Sequence, residues 1–128
     1  MERSKVVGVS PLFVVSDLKK SLDFYAKLGF GDASVHGEPP CFAMIDRDGF
    51  ELMLSVAADP KQILPNGRSG TWDVYIRTGD VAAEIDALQQ WAIALAKGPT
   101  DLPYMMREIE VVDPDGYLIC LAQDITTA

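Results

Sequence analysis

The side chains best suited to chemistry sit in strand-like stretches of this sequence. Glu51 lies in Phe50-Glu51-Leu52-Met53-Leu54-Ser55. Strand alternation there sends Glu51, Met53 and Ser55 to one face and Phe50, Leu52 and Leu54 to the other. Asp73 lies in Asp73-Val74-Tyr75-Ile76-Arg77, where Asp73, Tyr75 and Arg77 share a face opposite Val74 and Ile76. Either carboxylate can serve as a general base. Together Glu51 and Asp73 would make a two-carboxylate site for a divalent ion, to which a deprotonated Cys120 could add a soft ligand. Nucleophilic use of Cys120 needs a base within hydrogen-bond reach. His36 is the sole histidine, and nothing in the spacing brings it to Cys120. It sits beside Gly37-Glu38-Pro39-Pro40 and reads as a loop histidine, or as a group overhanging a binding cleft. Cys41 reads as a small buried core residue.

A second set of residues favours binding over catalysis. Phe42, Trp72, Tyr75, Tyr104, Met105 and Met106 are aromatic or thioether side chains. Aromatic rings stack on planar ligands and methionine adapts to irregular ones. Parity sends Tyr104, Met106 and Glu108 one way and Met105 and Arg107 the other.

Two similar halves must position these groups. Asp48-Gly49 and Asp115-Gly116 are two-residue hairpin turns, each followed by a strand-like run. Val14-Val15-Ser16-Asp17-Leu18 and Ile76-Arg77-Thr78-Gly79-Asp80-Val81 both end a strand and open a helix. Asp17 and Asp80 are 63 residues apart, and Asp48 and Asp115 are 67 apart, so one short insertion aligns the halves. Each half reads strand, helix, strand, strand, hairpin turn, strand. The first module spans about 7–56 and the second about 71–123. Residues 57–70, with two prolines and two glycines, read as a linker. The first strand is expected over Val7 to Val15, a short strand over Ile93 to Ala96, and a loop over Lys97 to Pro103.

With 128 residues and 48% hydrophobic composition, the chain can build one domain with a real core. No apolar run is long enough to span a membrane, and no secretory signal is recognisable. We expect a cytoplasmic protein with reduced thiols. A net charge of −8 disfavours nucleic-acid binding, which needs a basic surface. It would attract cationic ligands.

Val14-Val15-Ser16-Asp17-Leu18-Lys19-Lys20-Ser21-Leu22-Asp23-Phe24-Tyr25 with Leu28-Gly29-Phe30, and the closing Asp113-Pro114-Asp115-Gly116-Tyr117, resemble the vicinal oxygen chelate superfamily. That superfamily includes glyoxalase I, extradiol dioxygenases, fosfomycin-resistance and bleomycin-resistance proteins. The resemblance covers roughly residues 8–123. It implies an α+β fold of two tandem βαβββ modules, whose curved mixed sheets surround a crevice, and a homodimer. It also implies metal-ligand positions on the first and fourth strands of each module, normally His, Gln or Glu. Counted from the capping and turn aspartates, those positions fall here on Ser10, Met53, Asp73 and Cys120. A hydroxyl and a thioether are poor ligands for such ions. The resemblance therefore points to the bleomycin-resistance-like branch: a protein holding a small organic molecule without a metal or other cofactor. Its ligand-binding set is Ser10, Phe42, Glu51, Met53, Asp73, Tyr75, Tyr104, Met106 and Cys120. The alternative is a metal-dependent lyase, isomerase or dioxygenase using Glu51 and Asp73; metal-free general-base catalysis by either carboxylate is a third reading. Relatives of the bleomycin-resistance type usually carry glycine at the position of Met105, so a narrower crevice is expected here.

Overall fold

A computed structural model describes residues 2–127. Two four-stranded mixed sheets repeat one connection pattern. In the first module β1 (Leu12–Val15) leads to α1 (Leu18–Lys27), β2 (Gly31–His36), β3 (Phe42–Arg47) and β4 (Phe50–Val56). Its strand order is β1-β4-β3-β2. The second module follows with β5 (Val74–Arg77), α2 (Val81–Gln90), β6 (Lys97–Asp101), β7 (Met106–Val112) and β8 (Leu118–Asp124), in the order β5-β8-β7-β6. The two tandem α+β modules are those read from the sequence. Among the described residues no helix is long and apolar enough to cross a membrane.

Both aspartates expected as caps perform that task. Asp17 accepts from the Lys20 backbone N–H and Asp80 from that of Ala83, which satisfies donors the first turn leaves unpaired. The two-residue turn holds at Asp48-Gly49. Asp48 and Gly49 both adopt positive φ, and β3 pairs with β4 in unbroken register from Phe42↔Ser55 to Arg47↔Phe50. The second turn is longer than expected: β7 and β8 pair up to Val112↔Leu118, the Asp113 N–H reaches the Tyr117 carbonyl, and Pro114-Asp115-Gly116 form the tip.

Three local expectations are corrected. The first strand begins at Leu12, not Val7; pairing with β4 starts where the Met53 N–H reaches the Pro11 carbonyl, and the residues before it have no strand beside them. The short strand expected at Ile93–Ala96 is instead the exit from α2, with Ala92 at φ 56°. The strand lies at Lys97–Asp101, where Gly98-Pro99 had signalled a loop. An edge strand tolerates proline because its outer side needs no donor. Cys41 is exposed, not core, because it ends the loop that opens β3.

One core joins the modules through their helix-bearing faces. Phe13, Val15, Leu52 and Leu54 from the first half pack in the same cluster as Ile109, Val111, Ile119 and Leu121 from the second. Phe13 stacks on Tyr117 with ring centroids 4.5 Å apart. The Tyr25 hydroxyl donates to Asp113 Oδ2 at 2.6 Å. The Tyr117 hydroxyl donates to the Val14 carbonyl at 2.7 Å. Farther out, Arg47 grips Glu84 with two hydrogen bonds of 2.7 and 3.0 Å and donates to the Leu28 carbonyl. The sheet faces away from the helices therefore stay open.

The segment 57–70 connects the modules but is not slack. It carries short 3-10 helices at Pro60–Gln62 and Asn66–Ser69. A Cβ at Gly67 would run into the Gly116 carbonyl oxygen, so only glycine allows this close approach.

Candidate functional site

The strand ladders determine which side chains share the open face. In the second module Tyr75 pairs with Cys120, and Cys120 with Glu110; Ala122 pairs with Glu108. Paired residues lie on the same side of a sheet, so Tyr75, Cys120, Glu108 and Glu110 form one surface. The other face carries Ile109, Val111, Ile119 and Leu121 into the core.

On that surface two carboxylates are held by aromatic donors. Glu108 is only 6% exposed. Its Oε2 accepts from the Tyr75 hydroxyl and from the Tyr104 hydroxyl, each at 2.8 Å. Glu110 Oε2 accepts from the Trp72 indole N–H at 2.9 Å. The Trp72 and Tyr75 rings lie 4.8 Å apart and tilted. Burial and the Glu108 carboxylate push the Tyr75 phenol well above its ordinary range. The hydrogen bond to Glu108 is the chief reason that the Tyr104 phenol rises to about 12. Lys97 stands opposite Glu110 in the ladder, and Arg77 shares the face through Ala122. Among the described residues neither forms an ion pair with Glu108 or Glu110. A nearly buried anion with only neutral donors is a place where a ligand cation gains most.

Cys120 lies beneath these groups, fully buried. Burial first, then the Glu108 and Glu110 charges, push its thiol up to about 12. At neutral pH it is a thiol, not a nucleophile. We predict that iodoacetamide at pH 7.5 alkylates Cys41 and spares Cys120 in the native protein, and modifies both in denaturant. Peptide mass mapping reads the difference, and rapid native labelling of Cys120 would contradict it.

In the first module the open face carries Leu12, Val14, Phe42, Met44, Met53 and Ser55, half-buried apart from the more exposed Leu12. Glu51 shares this face and pairs with Asp46. Its Oε1 accepts from the Ser10 hydroxyl at 3.2 Å. His36 is exposed, with Nε2 2.9 Å from the Ser34 hydroxyl.

Asp73 is engaged elsewhere. Its Oδ1 accepts from the Asn66 backbone N–H, and its Oδ2 from those of Gly67 and Leu118, at 2.7 to 3.0 Å. It fastens the linker to β8. No hydrogen bond links it to Glu51, and among the described residues no three His, Cys, Asp or Glu side chains gather to hold a metal. The positions where the family would place ligands thus present a hydroxyl bonded to Glu51, a thioether, a carboxylate filled by backbone donors and a high-pKa thiol. This donor set does not fit a divalent metal.

Met106 falls on the parity of Glu108, and Met105 adopts φ 64°, a conformation glycine takes without strain. Trp72 was legible from the sequence as an aromatic of the crevice. Glu108 and Glu110 as site residues were not, although their spacing of two on a strand was the available signal.

The family model of the Glyoxalase/Bleomycin resistance protein/Dioxygenase superfamily matches residues 9–121. Among solved structures, the chain is similar to TnmS3, an antibiotic binding protein from Streptomyces sp. CB03234. That match has 26% identity and a TM-score of 0.74, and covers 96% of this chain and 99% of the other. It is also similar to a bleomycin resistance determinant encoded on the transposon Tn5, with 20% identity, TM-score 0.72 and coverage of 94% and 100%. TioX from Micromonospora sp. ML1 shares the fold at 16% identity, TM-score 0.74 and coverage of 93% and 99%. A comparison with curated proteins returns no match.

Proposed function

The chain belongs to the Glyoxalase/Bleomycin resistance protein/Dioxygenase superfamily, and within it we propose that this protein binds a small organic molecule without a catalytic metal. The ligand class we infer is a planar, largely apolar molecule carrying a basic group. The observation that carries this reading is the Glu108 carboxylate: nearly buried, hydrogen-bonded by two tyrosines, and flanked by Glu110 and Trp72. A cationic group is drawn to the carboxylates, while the ring lies against Trp72 and Tyr75. The net charge of −8 raises the local concentration of such a ligand. The antibiotic-binding description of TnmS3 supports the same reading.

The binding crevice, in this proposal, is completed by a second copy of the chain. The helix faces of the two modules already cover each other in one core. The open faces remain uncovered, with Leu12 and Tyr104 exposed. A homodimer that sets one copy's first module over the other's second module would enclose a cavity between them.

The test uses a Trp91→Phe background, so that fluorescence reports Trp72 alone. An aminoacridine cation is expected to quench that emission saturably, while an anthracene sulfonate of similar shape is not. Equal binding of the anion, or no binding of either, would overturn the proposed ligand class. Elemental analysis of the same sample tests the metal: one divalent ion held per chain would overturn the metal-free reading.

A further inference from the structure

The two tyrosines that close off Glu108 are held unequally. On the open face the ladder neighbours of Glu108 are Ala122 and Thr100, side chains too short to cover a carboxylate. Tyr75 and Tyr104 reach over it instead, and Glu108 is left 6% exposed. Tyr75 belongs to β5, is half-buried, and has its ring 4.8 Å from that of Trp72. Tyr104 comes from the turn between β6 and β7 and is 55% exposed. Among the described residues its ring stacks on no other, and its hydroxyl bonds only to Glu108.

The turn does not depend on that side chain. It is closed by bonds from the Leu102 N–H to the Met106 carbonyl and from the Met105 N–H to the Leu102 carbonyl, at 2.9 and 3.0 Å. Rotation of Tyr104 about its Cα–Cβ bond therefore breaks one hydrogen bond and leaves the backbone in place. Both phenols donate to Oε2, and Oε1 receives no donor among the described residues. A carboxylate accepts through both oxygens, whereas a phenol has a single O–H to give. A protonated amine or amidine brings several N–H donors and a positive charge. Exchanged for Tyr104 it is the stronger partner, while a neutral molecule with one N–H is only an equal one.

We propose that Tyr104 is the gate of the ligand site: its phenol holds the place on Glu108 that the ligand's basic group takes, and it swings outward when that group arrives, while Tyr75 stays. This rests on the ligand class proposed above and names the residue that sets its specificity. A molecule without a charged donor gains nothing by displacing the phenol and is held by its ring alone.

The two tyrosines then respond differently to loss of the hydroxyl. In the Trp91→Phe background, Tyr104→Phe is expected to lower the dissociation constant of the aminoacridine cation at least about tenfold, because no bond to a charged acceptor is broken on binding. Tyr75→Phe removes a bond present before and after binding, and should leave the constant within about threefold. An equal gain in both variants overturns the gate, since removing any donor would then free the charge of Glu108. An unchanged or weaker constant in Tyr104→Phe overturns it as well and leaves the ligand class standing. No quenching by the cation in any of the three chains overturns the ligand class, and the gate with it. A second measurement leaves Tyr104 intact. Acridone, a neutral ring of similar shape with one N–H, is titrated against the protein with and without Glu108→Gln. Its affinity is expected to change less than about threefold. A loss for acridone as large as the loss for the cation overturns the gate, because a neutral donor would then reach the carboxylate.

Discussion

Replacing Asp113 with alanine is expected to lower the unfolding free energy by about 3–4 kcal/mol. Asp113 is 5% exposed and lies at the junction of the two modules. Its Oδ2 accepts from Tyr25, which is fully buried, and its Oδ1 accepts from the backbone N–H groups of Asp115 and Tyr117. Removing the carboxylate strands a buried hydroxyl and loosens the turn that carries Tyr117 onto Phe13. Each buried donor left without a partner costs about 1–3 kcal/mol. Domains of this size have about 5–15 kcal/mol in all. Urea denaturation should therefore show a much lower midpoint at an unchanged slope. A shift under about 1 kcal/mol would mean that the modules are held together without this junction.

Asp113→Asn removes the charge while its amide oxygen still accepts from the Asp115 and Tyr117 backbone N–H groups and its NH2 group, in place of Oδ2, can donate to the Tyr25 hydroxyl oxygen. Burial raises the Asp113 carboxyl above its ordinary 3.8, against the lowering by Tyr25 and the two backbone donors. A raised carboxyl pKa means that the native state binds the proton more readily than the unfolded chain. The associated stabilisation is complete below 3.8 and is lost as pH rises through the raised value. The wild type should thus gain stability relative to Asp113→Asn as pH falls from neutral. A difference that stays flat or moves the other way would show that the carboxylate's hydrogen bonds outweigh its burial.

The contrast between fold and site shows what a sequence carries. The caps at Asp17 and Asp80 and the turns at Asp48-Gly49 and Asp115-Gly116 act locally. Such signals fix strand register, and with it the face on which Tyr75 and Cys120 lie. The backbone donors that hold Asp73 come from Asn66 and Gly67 of the linker as well as from Leu118, and a parity count does not see a loop folding back. Glu108 was read only for its parity, since a glutamate in a strand looks solvated. Its burial depends on Tyr75 and Tyr104, which reach it from another strand and from the preceding turn. The failure of the first strand at residues 7–11 has a related cause: a strand needs a neighbour as well as a favourable sequence.

Glu108→Gln is expected to weaken binding of the aminoacridine cation by about thirtyfold or more, since removing the charge that faces a buried cation costs at least about 2 kcal/mol. The unliganded protein should lose no stability. The amide oxygen still accepts from Tyr75 and Tyr104, and an anion nearly removed from water is replaced by a neutral group of similar shape. Affinity and stability would move independently, which separates a ligand-facing role from a structural one. A third readout needs no ligand. The Tyr104 phenol is raised to about 12 chiefly by its bond to Glu108, and should fall in the variant as that acceptor loses its charge. Ultraviolet titration of phenolate measures it. If the phenol falls and the cation still binds as before, then Glu108 only orients the two tyrosines, and the ligand's charge, if it has one, lies elsewhere. If affinity and stability drop together, the carboxylate belongs to the fold. Only lost affinity with retained stability supports Glu108 as the counter-charge of a bound base.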